Sequence, residues 1–319
     1  MSDLGHVLVL AGGLSYEREV SLRSGRRVSE VLRATGTDVE TRDTDASLVP
    51  YILADPPDAV FVTLHGGAGE DGAIRSVLEL LNVPYVGADP DACRVAFDKP
   101  TAKAVVRSVG LRTPASVTLP KETFHDLGAT VVLGRIVERL GLPLFVKPAR
   151  GGSALGASFV PTAEELPAAM VGCFAYGDTA LIERYVEGVE VAVSVVDLGS
   201  GPIALPAVEI VPDEGVYDYA ARYTAGHTEF FAPARLSAAA AAACASTAVT
   251  AHTALGLRDI SRTDLIVDGD GVPHFLEVNV APGMTETSLL PMAAEAAGQD
   301  LGELCRTLLQ NAASRSAAS

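Results

Sequence analysis

The sequence predicts an α/β protein whose N-terminal part is built on a parallel sheet and whose C-terminal half is α+β. Over the first hundred residues, apolar runs of strand length alternate with helix-like segments, a pattern typical of a parallel sheet covered by helices. Beyond Pro100, neighbouring strand-like segments and one hairpin signal indicate antiparallel pairing. We therefore expect a Rossmann-like parallel α/β domain followed by a mixed region.

The N-terminal part contains two strand–helix pairs and one further strand. The apolar run His6–Leu10 predicts a buried strand, and residues 15–32 follow with helical charge spacing. A second apolar run covers residues 59–64, and residues 73–81 are helix-like. Residues 85–87 are expected to add a short strand to the same sheet.

The later part of the chain is expected to be richer in strands and loops. Strands are predicted at residues 114–119, 144–148, 181–186, 189–196, 265–267 and 274–278. The last two flank Asp268-Gly269-Asp270-Gly271, a clear hairpin signal. Ser237 is an N-cap candidate for an alanine-rich helix at residues 237–255, and residues 301–311 predict a closing helix. Residues 212–233 show little periodicity and predict a functional lid.

Composition and charge limit the function classes. Hydrophobic residues make up 48% and charged residues 20% of the 319 residues, as in a globular protein of two or three domains. The formal net charge of -16 opposes binding to nucleic acids and anionic membranes. The run His6–Leu10 is too short for a signal peptide or a membrane span. We expect a cytoplasmic protein that binds neither nucleic acid nor membrane and keeps its four cysteines reduced.

Common nucleotide and hydrolase motifs are absent or incomplete. The sequence has no GxxxxGK[ST] phosphate loop, and Ser153 lacks the second glycine of a GxSxG elbow. Residues 67–72 match GxGxxG between a strand and a helix, which leaves a dinucleotide-dependent oxidoreductase as an alternative. Glu70 and Asp71 argue against that alternative, because both carboxylates would stand beside a pyrophosphate.

The C-terminal hairpin carries the residues of a candidate metal site. Glu277 and Asn279 share one face of a strand, about 7 Å apart, and Asp264 directly precedes the other strand of the hairpin. Three oxygen ligands of this kind suit Mg²⁺. The alternative is a solvated strand with ordinary surface acids, which is disfavoured because Leu276 and Val278 are expected to face the core.

Lys147 is a candidate phosphate ligand. It ends an apolar strand and precedes a glycine-rich loop whose backbone N–H groups could lie beside a phosphate. A surface lysine with an apolar stem buried along the strand is the alternative.

Five segments resemble motifs of the D-alanine–D-alanine ligases of the ATP-grasp superfamily, and the resemblance covers nearly the whole chain. They are GGLSYEREVSL at residues 12–22, LHGGAGEDG at 64–72, VKPAR at 146–150, YDY at 217–219 and EVNVAPGMT at 277–285. The resemblance implies a two-part ATP-grasp fold after the N-terminal domain. The implied domains are substrate-binding (residues 1–98), central ATP-grasp (99–182) and C-terminal catalytic ATP-grasp (183–319).

The resemblance also implies roles for single residues. The positions that match ATP-binding residues of the family are Lys99, Lys147, Glu183, Arg184, Val186 and Glu190. The positions that match catalytic and substrate-binding residues are Glu17, His65, Ser153, Arg222, Tyr223, Arg262, Gly283 and Ser288. Asp264, Glu277 and Asn279 match the metal ligands, in agreement with the hairpin argument.

Within these sets, Glu17 is expected to hold the first amino acid's ammonium, beside His65. Arg262 and the N–H of Gly283 are expected to stabilise an oxyanion. Ser288 is expected to bind the second amino acid's carboxylate.

The implied activity is ATP-dependent ligation of two D-alanines through an acyl phosphate, for peptidoglycan precursor synthesis. Two Mg²⁺ ions, with Mn²⁺ as a substitute, and a homodimer are expected from the same resemblance. One alternative is a ligase of this superfamily with another acceptor, such as D-serine, D-lactate or a specialised amino acid. The other is a catalytically silent nucleotide-binding protein, which the intact Lys147, Arg262 and Glu277 argue against.

Overall fold

The computed structural model describes residues 4–212 and 228–316. Its N-terminal layer is a parallel sheet in the order β2-β1-β3, formed by β1 (His6–Leu10), β2 (Asp38–Arg42) and β3 (Ala59–Val62). The helices of this part are α1 (Arg18–Ala34), α2 (Leu48–Ala54), α3 (Ala73–Leu80) and α4 (Pro90–Phe97). The predicted parallel layer is therefore confirmed.

Several details of this layer differ from the prediction. β2 and α2 were not predicted, because DVETR is too polar for an apolar run and α2 has only seven residues. The helix α4 was not predicted either. Residues 85–87 do not form a strand, since Tyr85 makes one isolated parallel bridge to Val60.

The second sheet is antiparallel, in the order β4-β7-β5-β6. Its strands are β4 (Ser116–Pro120), β5 (Leu144–Pro148), β6 (Ser158–Val160) and β7 (Thr179–Arg184), and its part of the chain adds α5 (Lys99–Ser108), α6 (Lys121–Leu127), α7 (Ala129–Leu140) and α8 (Leu166–Phe174). Buried residues such as Leu144, Val146 and Ile182 form its core with Leu166 of α8. This core holds β5 in place, so that Lys147 lies at a fixed position near the strand's end.

The third sheet is also antiparallel, in the order β11-β10-β8-β12-β13 with β9 on β8. Its strands are β8 (Val189–Asp197), β9 (Pro202–Ala204), β10 (Val208–Pro212), β11 (Thr228–Phe231), β12 (Ile260–Val267) and β13 (Pro273–Asn279). The helices are α9 (Ala238–Ala254), α10 (Leu289–Ala296) and α11 (Leu301–Ser316). Ser237 caps α9 as predicted, since its side chain accepts a hydrogen bond from the N–H of Ala240.

A shared core joins the first and third sheets. Val9 and Phe61 of the parallel sheet belong to the same buried cluster as Val196 of β8, Leu290 of α10 and Leu308 of α11. The loops that follow β1, β3 and β13 therefore meet at one side of this core. Both predicted boundaries, at residues 98 and 182, stay predictions.

The β12–β13 hairpin contains a bulge that the sequence analysis did not predict. Asp264 is paired with Glu277, whereas Leu265 is paired with Phe275, so Leu276 is an extra residue on β13. The expectation that Leu276 faces the core is wrong, because the bulge turns its side chain towards a cavity. Val278 is buried as expected.

Only part of the predicted lid at residues 212–233 lies within the described residues. Thr228–Phe231 is strand β11 rather than loop, because it pairs with β10. Tyr217, Tyr219, Arg222 and Tyr223 lie outside the described residues.

Two further expectations concern the cysteines and the membrane. All four cysteines are buried and free, as expected, and burial raises the pKa of Cys305 to about 12. No helix in residues 4–212 and 228–316 is long and apolar enough to cross a membrane.

Candidate active site

An open cavity lies between the second and third sheets, with about 970 Å³ of space when its opening to solvent is included. Phe145, Ile266 and Leu276 contribute apolar surface to it, and lysines stand at one end. The six residues predicted to bind ATP all line this cavity: Lys99, Lys147, Glu183, Arg184, Val186 and Glu190. An apolar slot with cations at one end suits a ligand that has a flat ring and an anionic tail.

Behind this cavity lies a buried charge cluster. Glu183 lies between two lysines, 2.7 Å from the Nζ of Lys103 and 2.9 Å from the Nζ of Lys147. Burial favours the neutral form of Glu183, but the two ammonium groups outweigh it and lower the pKa of Glu183. Burial lowers the pKa of Lys103 to about 8, although Glu183 opposes this shift. Lys147 is 8% exposed and ion-paired, so the surface alternative for it is wrong.

Lys99 and Glu277 mark the junction between this cavity and a second one. The Nζ of Lys99 donates a 2.6 Å hydrogen bond to the carbonyl of Gly151 and lies 3.6 Å from Oε2 of Glu277. Lys99, Gly151, Gly152 and Glu277 line both cavities. Groups bound in the two cavities would therefore meet beside Lys99 and Glu277.

The predicted metal ligands lie at the same junction. Asp264 lies opposite Glu277 across the hairpin, and its carboxylate accepts bonds of 2.7 and 2.9 Å from Nε and Nη2 of Arg262. Asn279 Oδ1 accepts a bond from the N–H of Ala281. Two carboxylates and an amide oxygen are a suitable donor set for Mg²⁺. No group of three or more His, Cys, Asp or Glu residues suited to a metal occurs within the described residues.

The second cavity is bounded by the loops after β1, β3 and β13, with about 1610 Å³ of space when its opening to solvent is included. Six predicted catalytic and substrate residues line it, together with Asn279: Glu17, His65, Ser153, Arg262, Gly283 and Ser288.

Glu17 is tightly enclosed at one end of this cavity. Ser153 donates a short hydrogen bond to Oε1 of Glu17. A Cβ added to Gly66 would lie 2.3 Å from Oε2 of Glu17, and one added to Gly152 would lie 2.8 Å from it. Both positions require glycine, because any larger residue would displace the carboxylate.

A second carboxylate, Glu70, lies next to the same glycine. Glu70 is 7% exposed, and its Oε1 accepts a 3.1 Å bond from the N–H of Gly66. Burial raises the pKa of Glu70 to about 7, and the nearby Glu17 adds to this shift. Two acidic groups around Gly66 form a site that favours a cation, such as an ammonium group.

His65 lies in the wall of the cavity as a neutral group. Burial lowers the pKa of His65 to about 4, and the charge of Arg262 contributes in the same direction. Both ring nitrogens have protein partners, the hydroxyl of Ser24 at 2.9 Å and the carbonyl of Ala281 at 3.0 Å.

Gly283 and Ser288 also line this cavity and lie close together. The N–H of Thr285 donates a 3.0 Å bond to Oγ of Ser288, and the two hydroxyls lie 2.9 Å apart. A Cβ on Gly283 would lie 2.6 Å from Oγ of Ser288, so this contact also requires glycine.

Family models match most of the chain. A model described as the D-ala D-ala ligase C-terminus matches residues 105–310, and one described as the D-ala D-ala ligase N-terminus matches residues 40–88. The chain belongs to the D-alanine–D-alanine ligase family.

Individual members of this family resemble the chain over nearly its full length. The D-alanine--D-alanine ligase of Anaeromyxobacter sp. (strain K) is 42% identical over 307 residues, which cover 96% of each chain. The ATP-complexed D-alanine--D-alanine ligase of Bacillus anthracis has a TM-score of 0.80 at 27% identity, and the match covers 99% of each chain. The VanG D-Ala:D-Ser ligase of Enterococcus faecalis has a TM-score of 0.82 at 28% identity, and the match covers 97% of this chain and 99% of that one. These likenesses confirm the predicted ATP-grasp architecture.

The fold of this family member brings the predicted site residues together, except for two. Arg222 and Tyr223 lie outside the described residues. Sequence reasoning missed Lys103 and the buried Glu70. Lys103 follows Lys99 by four residues, and this helical spacing could have indicated it. Glu70 was recognised only as an obstacle to dinucleotide binding, since burial of one carboxylate cannot be read from a motif.

Proposed function

We propose that this ligase joins two molecules of D-alanine to give D-alanyl-D-alanine, with cleavage of ATP to ADP and phosphate. The observation that carries the proposal is the junction of the two cavities. One cavity offers an apolar slot and lysines, and the other offers acidic groups together with hydroxyl and N–H groups. At the junction, Lys99 lies 3.6 Å from Glu277. A phosphoryl donor and an amino acid would meet at that point.

In the first step, the amino acid binds with its ammonium near Glu17 and Glu70. One carboxylate oxygen then attacks the γ-phosphorus of ATP, and the bond to ADP breaks. Lys99 and Lys147 are proposed to offset negative charge on the transferred phosphoryl group. The product is an acyl phosphate, from which phosphate can leave, whereas oxide could not leave the original carboxylate.

In the second step, the amine of the second D-alanine attacks the acyl carbon and phosphate departs. The attacking ammonium, with a pKa of about 8 in solution, must first lose a proton. Arg262 and the N–H of Gly283 are proposed to stabilise the negative oxygen of the tetrahedral intermediate. A donor of this kind contributes roughly 10²–10³ in rate. Ser288 is proposed to hold the second carboxylate.

Asp264, Glu277 and Asn279 are proposed to hold Mg²⁺, with Mn²⁺ as a substitute, for which their oxygen atoms are chemically suited. The metal would supply charge neutralisation for the phosphates. Because Arg262 binds Asp264 at both carboxylate oxygens, the carboxylate of Asp264 would have to contact both Arg262 and the metal ion. A homodimer is proposed from the family resemblance alone, and a cytoplasmic location from the sequence analysis.

A different acceptor is the second candidate. This candidate is supported by the likeness to a protein described as a D-Ala:D-Ser ligase, which is 28% identical to this chain. The end of the second cavity is polar, with Thr285, Thr287 and Ser288 in its lining, and could accept a hydroxyl group.

The test is to measure ADP release with Mg-ATP and D-alanine, and to identify the product by mass. D-Alanyl-D-alanine is the expected product. ADP release only with D-serine, D-lactate or another amino acid as acceptor would keep the ligase mechanism and replace the acceptor. No release with any amino acid would favour a silent nucleotide-binding protein.

A further inference from the structure

A buried hydrogen-bond chain connects α1 to the segment that carries Gly283. The hydroxyl of Ser24, a fully buried residue of α1, accepts a 3.1 Å bond from the N–H of Met284. The same hydroxyl lies 2.9 Å from Nε2 of His65, and Nδ1 of His65 lies 3.0 Å from the carbonyl of Ala281. Three separate parts of the chain therefore meet at one serine and one histidine.

The hydrogens in this hydrogen-bond network can be assigned from the donor and acceptor chemistry of its groups. The carbonyl of Ala281 can only accept, so Nδ1 of His65 carries the hydrogen. His65 is neutral at pH 7 because burial lowers its pKa to about 4, so Nε2 has no hydrogen and accepts. The hydroxyl of Ser24 must therefore donate to Nε2 while it accepts from Met284. Each donor in this hydrogen-bond network has one acceptor, which fixes the orientation of the side chains of Ser24 and His65.

The consequence concerns the backbone between the two attachment points. Ala281 and Met284 are each bonded to the N-terminal layer, and Gly283 lies between them. Glycine is flexible, so its N–H would otherwise be free to turn. An oxyanion donor must point at the oxygen that develops negative charge, and a displacement of about 1 Å can cost roughly 10²-fold in rate.

We propose that Ser24, through His65, is a positioning residue that orients the N–H of Gly283 for the ligation step. This inference rests on the proposed function, in which Gly283 stabilises the tetrahedral intermediate. Ser24 is fully buried and lines neither of the two cavities. Its removal should slow attack on the acyl phosphate and leave the preceding phosphoryl transfer nearly unchanged, because Lys99 and Lys147 lie on other elements.

The experiment is a single-turnover rapid-quench measurement on Ser24→Ala with Mg-ATP and D-alanine. ADP formation should stay within about twofold of the wild type, whereas dipeptide formation should slow by about tenfold to a hundredfold. The KM for ATP should not change. Equal slowing of both steps, or no slowing of dipeptide formation, would overturn the proposal.

Ser29→Ala is the matched control. Ser29 is also a buried serine of α1, and its hydroxyl lies 2.7 Å from that of Thr41 instead of near the cavity. Ser29→Ala should lower the free energy of unfolding, but it should not slow dipeptide formation relative to ADP formation. If it gave the same separation as Ser24→Ala, the effect would come from α1 in general and the proposal would be wrong.

Ser24→Cys is used if Ser24→Ala does not fold. Cysteine keeps the approximate volume and makes weaker hydrogen bonds, so a smaller loss in the dipeptide step alone is expected. If the wild-type protein formed no dipeptide, the proposed function itself would be wrong. If the wild type formed dipeptide but Ser24→Ala slowed both steps equally, only the role of Ser24 would be wrong.

Discussion

Single glycines set how closely the polar groups of the second cavity approach one another. Gly66 and Gly152 enclose the carboxylate of Glu17, and Gly283 lies against the hydroxyl of Ser288. Such contacts leave no space for a methyl group, so a conservative substitution to alanine should act on the neighbouring functional group. The geometry of this site is therefore sensitive to substitution of these single glycines.

Gly283→Ala should weaken binding of the second D-alanine. The new Cβ would lie 2.6 Å from Oγ of Ser288, so the hydroxyl must turn away from Thr285 and from a bound carboxylate. Loss of one hydrogen bond to a charged group predicts a rise of about tenfold or more in the KM for D-alanine, with the KM for ATP unchanged. Steady-state kinetics with each substrate varied is the measurement. Gly134→Ala on α7, where a Cβ would contact nothing within 4 Å, is the control and should keep both constants.

Glu70→Gln should change how stability depends on pH. The folded-state pKa of Glu70, about 7, is raised above the ordinary value of 4.5, so the protonated form stabilises the fold below pH 4.5 and this contribution is lost as pH rises through 7. The variant should gain up to about 3 kcal/mol relative to the wild type between about pH 5 and pH 8. Urea unfolding at both pH values measures the difference. His65 titrates in both proteins, so its effect on the stability difference cancels. A difference in unfolding free energy that did not change with pH would contradict the raised pKa of Glu70.

Single-residue roles were the least predictable part from sequence. Glu17, His65 and Ser288 were found only through resemblance to a family, because isolated polar residues carry no periodic signal. The buried state of Glu70 and the bonds of Ser24 depend on loops distant in sequence that meet only after folding.

At the scale of elements, the contact between α5 and β7 places a buried charge cluster behind the first cavity. Lys103 on α5 is fully buried and lies 2.7 Å from Glu183 on β7. Lys147 on β5 provides the other cation. Loss of Lys103 would leave Glu183 paired with Lys147 alone, so one of the two charged contacts of a buried carboxylate would be lost.

Lys103→Met should therefore destabilise the fold by about 1.5–3 kcal/mol, the usual range for a lost hydrogen bond to a charged group. Adding Glu183→Gln should recover part of that loss, because the buried carboxylate charge is removed. Urea unfolding of the single and double variants measures both effects. Arg135→Met, which removes an exposed ion pair with Glu138 on α7, should cost little and serves as the control. A loss in Lys103→Met no larger than in this control would refute the role of the cluster.

Elements with a strong periodic or turn signal were predicted well. The hairpin around residues 268–271 and the cap at Ser237 were both confirmed. The bulge at Leu276 was not predicted, because it depends on how β13 pairs with β12 and not on residue type. The polar strand β2 was missed since its partner β1 supplies the pairing that its own sequence does not indicate.

At the scale of the whole molecule, Asp259 links the N-terminal layer to the C-terminal helix. Its carboxylate accepts a 2.7 Å bond from the N–H of Gly87 and two bonds of 2.7 Å from Arg315 of α11. Asp259 is 3% exposed and has a φ of 62°, in the left-handed region. The parallel sheet and the β12–β13 hairpin are thus held together by polar contacts as well as by a shared core.

Asp259→Asn should lower the free energy of unfolding by about 1.5–3 kcal/mol, since hydrogen bonds to a charged group become bonds to a neutral one. Asparagine tolerates the left-handed conformation, so backbone strain does not contribute. Urea unfolding at about pH 7 is the measurement, with the exposed Asp126→Asn as control. Unchanged stability would show that the shared core alone holds the layers together.

The overall architecture was predictable because it depends on patterns that extend over many residues. Alternating strands and helices gave the parallel layer, and ordered family motifs gave the ATP-grasp part. The way in which three distant loops enclose one cavity was not predictable, because it arises from the packing of the sheets on a common core.

The acyl phosphate is tested most directly with D-alanine carrying ¹⁸O in its carboxylate. The carboxylate oxygen that attacks ATP stays on the phosphoryl group when the amine displaces it. Inorganic phosphate formed with each dipeptide should therefore contain one ¹⁸O from the labelled carboxylate, as detected by mass or by ³¹P resonance. Dipeptide formation with unlabelled phosphate would contradict the acyl-phosphate mechanism.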